Sequence, residues 1–226
     1  MSLPRALKGV SRDTLRGRVY VELRAAIMKG TFEPGQALTV RGLAEAFGTS
    51  PTPVREALQQ LVAENALIAE PNRSYRIPRI TREIFLDLRD TRAELEGLAA
   101  EKAASRITAG EIRKLEQLIE RMSRAISAQD LKGYLSANED FHFVIYEAAR
   151  APVLLRTIRI LWMQIGPTLN VLFRDLDLVE GLQDQHHAAL AAFNARDAAA
   201  ARLAVRDDIV KAAAFIEQQP SVFEGK

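Results

Sequence analysis

Apolar residues recur at helical spacing through most of the chain, with one short stretch of another period. Leu15, Val19, Leu23 and Ile27 stand at steps of four and predict a first helix from about Ser11 to Met28, ended by Lys29-Gly30. After a Phe32-Glu33-Pro34-Gly35 turn, Val40, Leu43, Ala44 and Phe47 face inward on a short helix over Thr39–Phe47, and Gly48 marks a sharp turn. Val54, Ala57, Leu58 and Leu61 pin one face of a third helix to a core. Ser50 or Thr52 is its cap, and Pro53 suits the first turn because its missing N–H has no partner there anyway. Leu67–Ala69 and Tyr75–Ile77 are β-prone runs around Pro71-Asn72-Arg73-Ser74, so a small hairpin with a basic tip follows. Helix, turn, helix and hairpin make a winged helix-turn-helix.

From Thr81 only the helical period is left. Stripes and caps predict helices over Thr81–Arg106, then from a Thr108-Ala109-Gly110-Glu111 capping box to Ala128, and from an Asp130 cap to Ala149. Three more run from Pro152 to Asn170, Leu178 to Asn194 and Asp197 to Gln218. The fold class expected is mainly α, an N-terminal winged helix-turn-helix followed by an all-helical antiparallel bundle. The boundaries expected are a tail over 1–10, the winged head over 11–79 and the bundle over 80–220.

Composition narrows the class. A chain of 226 residues has room for two cores, and the absence of cysteine excludes disulfides and thiolate metal sites, as suits a reducing cytoplasm. No signal-peptide pattern and no apolar run near the roughly 18 residues of a membrane span are present, so a soluble, cytoplasmic protein with no membrane partner is expected. The net charge of +2 is unevenly spread: residues 1–80 carry 12 Lys and Arg against 7 Asp and Glu, whereas the rest carry 19 against 22. A basic head on an acidic body favours an anionic polymer at the head. Ser50, Thr52 and the cation Arg55 lie at the start of the third helix, where free amides already favour phosphate.

In a bundle the informative residues are polar groups on apolar stripes. Arg92 falls between Leu88 and Leu95, Asn138 and His142 sit one turn apart on the face of Leu135 and Ile145, and His186 joins Leu182 and Phe193 while His187 points away. Asp208 lies near the face of Val205 and Ala212, with Asp207 a poorer alternative. Asn138, His142, His186 and Asp208 offer the oxygen and imidazole ligands that a divalent ion such as zinc, nickel or manganese accepts. The bland alternative for each is a hydrogen-bonded core residue.

These stretches also carry a resemblance. VRGLAEAFGTSPTPVREALQQLVAENALI followed by PNRSYRIP resembles the DNA-binding domain of GntR-type bacterial transcription regulators over about the first third of the chain. Pro51 stands where many relatives carry arginine, and Ser74 lies near a wing position often held by glycine. RAELEGLAAEKAA, NEDFHFVIYEAA and HHAALAAFNARDAAAARLAVRDDI resemble the FCD effector domain of the FadR-type branch. The resemblance implies a metal held by Asn138, His142 and His186, with Asp208 where many relatives have histidine. It also places Arg92 against an effector pocket, with an ion pair to Glu96, Glu94 or another bundle acid as the alternative.

The function expected is a ligand-responsive transcription regulator, leaning to repressor, and not an enzyme. It would bind an inverted-repeat operator in double-stranded DNA as a homodimer and sense a small carboxylate at the metal and Arg92. Arg55 is expected to read guanine, Arg41, Ser50 and Thr52 to position the head on phosphates, and Arg73 on the wing to reach the backbone or minor groove. The alternatives are a metal-dependent hydrolase in the helical domain, which lacks a motif such as HExxH, and a metal-free helical interaction module.

Overall fold

The computed structural model describes residues 15–71, 74–169, 176–219 and 222–223. The expected tail, the Ser11–Thr14 start of the first helix, Arg73 and Asn170 lie outside the described residues.

The head is built on α1 (Leu15–Met28), β1 (Ala37–Thr39), α2 (Val40–Ala46), α3 (Pro51–Ala63), β2 (Ile68–Glu70) and β3 (Ser74–Arg76). Val19, Leu23, Ile27 and Met28 of α1 pack on Val54, Ala57, Leu58 and Leu61 of α3, all buried. The Tyr20 hydroxyl ties the two helices at their polar edge by donating to Glu64 at 2.7 Å. Thr39 serves twice, closing β1 and capping α2 with an Oγ1 that accepts from the Gly42 amide at 3.1 Å. Gly48 turns the chain at φ +60°, a conformation in which a Cβ is costly.

Several expectations shift in the head. The hairpin strands lie one residue from the predicted runs at β2 and one earlier at β3, and β1 adds a third strand. The antiparallel order is β1-β3-β2, with Tyr75 opposite both Leu38 and Ala69. Leu15 is 50% exposed and Phe47 37% exposed, because each lies at a helix end beyond the core's reach. Ser50 occupies the N-cap of α3 but makes no side-chain capping bond, and Pro51 takes the first helical turn.

The bundle comprises α4 (Arg82–Ala104), α5 (Ala109–Ser127), α6 (Leu131–Ala148), α7 (Pro152–Ile165), α8 (Leu176–Ala195) and α9 (Ala198–Glu217). Its helices start on caps legible in the sequence: Thr81, the reciprocal Thr108–Glu111 box, Asp130 and Asp197 each satisfy a first-turn amide. Gln129 at φ +54° and Arg196 at φ +55° end α5 and α8 in the left-handed region. There Asp130 N donates to Ala125 O and Asp197 N to Ala192 O, so each turn reverses the chain at once and the next helix runs back along the last. The long α4 lies against α9, α6 and α7, while α5 packs on α6 and α8. On α4 the first core position belongs to Phe85, which meets the Phe223 ring edge-on at 5.4 Å, whereas the neighbouring Ile84 is 48% exposed. Among the described residues no helix is long and apolar enough to cross a membrane.

Head and bundle meet at the end of α1. Lys29 Nζ reaches Ser136 Oγ at 3.2 Å, Glu139 Oε2 at 3.5 Å and Asp140 Oδ1 at 3.7 Å on α6. Burial raises the Glu139 carboxyl above its ordinary range against the pull of Lys29. Gly166, at the end of α7, lies flat on the last carbonyls of α1: a Cβ there would stand 2.5 Å from Ile27 O and 2.7 Å from Met28 O. Those neighbours are backbone and yield little. Gly166→Ala is therefore expected to destabilise the protein by about 1–3 kcal/mol through overpacking. Denaturant unfolding checks this, and an unchanged midpoint would mean that the junction gives way freely.

Candidate functional site

Two surfaces gather the predicted site residues. On the head, Arg41 stands exposed in the first turn of α2, and Ser50 and Thr52 are exposed at the start of α3 with Arg55 half-buried one turn on. The cations of the head divide by their bonds. Arg76 is tied into the sheet, donating to Glu70 Oε1 at 2.6 Å and Gly35 O at 2.6 Å, and this pairing holds the Glu70 carboxyl below its usual range. Arg16 pairs with Glu56 and Gln60. No described residue pairs with Arg41 or Arg55, so their charge is free to meet an anion. Ser50 leaves the first amides of α3 uncapped by a side chain, so they too are open to an anion.

The second surface is buried in the bundle. Asp208 on α9 sits between two imidazoles, with Oδ2 3.2 Å from His142 Nε2 on α6 and Oδ1 3.6 Å from His186 Nε2 on α8. His187 is exposed, as its phase on α8 requires. Burial alone would raise the Asp208 carboxyl, but His186, His142 and Arg92 together hold it below its ordinary value. Burial pushes the His186 imidazole down to about 4, with Asp208 opposing and His142 and His187 adding to the fall. The pair is therefore an ionised carboxylate beside a neutral imidazole at neutral pH, which is the protonation state of metal ligands. Gln183 Oε1 accepts from His186 Nδ1 at 3.3 Å, so that nitrogen carries the hydrogen. His186 Nε2 is left without a hydrogen-bond partner although it is fully buried. Such an orphaned acceptor in a dry core costs about 1–3 kcal/mol unless something binds there.

A cavity opens beside this cluster. Arg89, Arg92, Tyr134, Asn138, His142 and Asp208 form its polar wall, and Trp162, Ile165 and Leu182 are among its apolar lining. It leaves about 30 Å³ for the centres of water-sized molecules, where one water needs roughly 10–15 Å³. The ligating atoms of His142, His186 and Asp208 all lie within 4.8 Å of one another. Atoms bound to one ion at about 2.0–2.2 Å stand roughly 3–4 Å apart, close to the separations found here. The donor set fits a divalent ion, and Asn138 lines the same wall one turn before His142.

Arg92 makes the Glu96 ion pair foreseen as its alternative, and it also lines the cavity. Its Nε donates to Glu96 Oε1 at 2.7 Å, and the guanidinium lies 4.9 Å from the Trp162 ring centre while lining the cavity. Sequence reasoning missed Tyr146, whose hydroxyl meets both Glu96 Oε2 and His142 Nδ1, and Gln183 behind His186. Their spacing was the available signal, four residues after one histidine and three before the other.

Comparison with known proteins agrees with this division. Residues 15–77 match the profile described as bacterial regulatory proteins, gntR family, and residues 87–210 match the FCD domain. The HTH-type transcriptional regulator McbR of Escherichia coli K12 is 30% identical over 204 residues, covering 89% of this chain and 92% of that protein. The HTH-type transcriptional repressor GlaR of the same strain is 26% identical, covering 88% and 94%. The solved structure of E. coli McbR/YncC superposes with a TM-score of 0.87 at 29% identity, over 92% of this chain and 99% of that one.

In protein stripped of metal by a chelator, the depressed His186 value fixes a sign. Between about pH 6.5 and 4 the unfolded chain binds a proton that the folded one refuses, so stability is full above that window and falls as the pH drops through it. The loss is expected to total about 3 kcal/mol. Asp208 adds to it only below the ordinary carboxylate range. Denaturant titrations from pH 7 to pH 4 on the parent and on His186→Gln check this; equal slopes in the two proteins would rule it out.

Proposed function

The chain belongs to the gntR family of bacterial regulatory proteins, with an FCD domain behind the DNA-binding head, and from that premise we propose a ligand-responsive repressor that grips an inverted-repeat operator as a homodimer. The relatives are transcription regulators, so the chemistry of the bundle is that of a sensor and not of a hydrolase. The head spans residues 11–79 and the bundle, for effector binding and pairing, residues 80–220. Asn138, His142, His186 and Asp208 would hold one divalent ion, zinc, nickel or manganese. Such an ion supplies a Lewis-acidic point for the carboxylate of a small organic acid. Arg92, fixed by Glu96 and facing the cavity, supplies a guanidinium fork for the same group. The observation that carries this reading is the bare, buried His186 Nε2 beside Asp208, which lines the cavity together with Arg92.

The junction supports a route from cavity to head. Trp162 and Ile165 of α7 line the cavity one turn or less before Gly166, which lies on the α1 carbonyls. Lys29, one residue past α1, holds the segment of α6 that carries Asn138. An acid that rearranges α6 or α7 therefore acts on the helix that backs α3. Ligand and operator affinity are coupled only if the acid binds one head arrangement better than the other.

On the DNA, Arg55 reads guanine, Arg41, Ser50 and Thr52 hold phosphates, and Arg73 on the wing reaches the backbone or minor groove. Selection of bound fragments from random DNA, repeated after chelation and with a panel of small carboxylic acids, tests head and sensor together. A palindromic site is expected, released by one class of acid only while metal is present. A chain that ignores duplex DNA at low salt would sink the proposal. Arg55→Ala is expected to cost about 1–3 kcal/mol on the selected site and to relax its specificity, whereas Arg41→Ala weakens all sequences alike. Gel shifts at fixed salt check both, and an unchanged specificity ratio for Arg55→Ala would reject its role.

A further inference from the structure

Behind Arg92 lies a second buried acid of the bundle. Glu96 on α4 is 0% exposed, and Arg92 reaches both its oxygens, Oε2 through Nη2 at 3.4 Å. Oε1 accepts from Arg92 Nε at 2.7 Å, and Oε2 accepts from the Tyr146 hydroxyl of α6. The same hydroxyl stands 3.1 Å from His142 Nδ1. Arg92 and Glu96 are four apart on one helix, His142 and Tyr146 four apart on the next, so two helical faces interlock through a line of polar atoms with no water to compete.

The line has a direction. Because the Tyr146 hydrogen is given to Glu96, only a lone pair of its oxygen faces His142. In the neutral ring His142 Nδ1 therefore carries the hydrogen, and Nε2 presents its lone pair to Asp208 Oδ2 at 3.2 Å. Two lone pairs at that distance repel unless a proton or a metal ion stands between them. The Tyr146 ring also stacks on the imidazole, at 5.9 Å and 26°, which fixes its plane.

We propose that Tyr146 and Glu96 are positioning residues that lock His142 in the Nδ1–H tautomer with Nε2 aimed at the metal position, and that Glu96 sets the orientation of Arg92 by the same bond network. This rests on the reading of the cluster as a metal site and adds to it a device shared by the ion and the ligand's cation. Partners that orient a ligating imidazole commonly change metal affinity by about 10–100-fold when removed. A core network without that role would leave the tautomer to other contacts.

Tyr146→Phe removes one oxygen and keeps the ring. Zinc, nickel and manganese affinities of the full chain, measured by competition with a chromogenic chelator, are expected to fall about 10–100-fold in this variant. Nitrogen-15 NMR of the histidine rings in metal-free protein gives a second readout that does not depend on loading. The parent is expected to show His142 protonated on Nδ1, and Tyr146→Phe to lose that preference. Glu96→Gln should reverse the line: its amide oxygen keeps Arg92, its NH2 donates to the Tyr146 oxygen, and the hydroxyl hydrogen turns to Nδ1, placing the ring hydrogen on Nε2. A parent with His142 protonated on Nε2, or a Tyr146→Phe protein that holds metal as tightly as the parent, overturns this role. A parent that takes up none of the three metals overturns the metal reading itself and the positioning role with it.

Discussion

A carboxylate removed from water must be met by positive charge or by donors, and in this protein that demand shapes the bundle. Asp208 stands between the ring nitrogens of His142 on α6 and His186 on α8, and Arg92 of α4 supplies positive charge to the same point. Four helices are thereby drawn to one point, and a fully apolar core of the same volume would pack at least as well. The cost of keeping such groups dry is evident in His186, whose Nε2 finds no partner. A site with an unmet lone pair, an ionised oxygen and a second imidazole is arranged for a guest.

The same economy of contacts governs how the head rides on the bundle. The wing sheet and α3 do not touch the cavity; α1 does so at one remove, through Gly166 and Lys29. Backbone against backbone transmits displacement without slack, whereas the Lys29 contacts are partly solvated and can re-form at several places along Ser136, Glu139 and Asp140. The first contact sets position and the second tolerates angle. That combination lets a helix pivot while its end stays anchored.

Much of this was legible in the residues. The bundle helices and their starts follow from stripes and from Thr81, Thr108, Asp130 and Asp197, since a cap is a local contact between neighbours in sequence. The inward phases of Asn138, His142, His186 and Asp208 were likewise fixed by periodicity, though only the fold brings the last three within reach of each other. What escaped was non-local. Strand β1 spans three residues, too short for any alternation to register, and it exists because Tyr75 offers it an edge. Phe85 outranks Ile84 because Phe223, over a hundred residues away, waits beside it. Tyr146 reads as one more aromatic on an apolar face, and its hydroxyl acquires meaning only when α4 brings Glu96 alongside.

The narrowness of the cavity has a temporal consequence. With about 30 Å³ open to water-sized centres, a multi-carbon guest of the site proposed above would have to spread α4, α7 and α9, and its arrival would be timed by that opening as well as by encounter in solution.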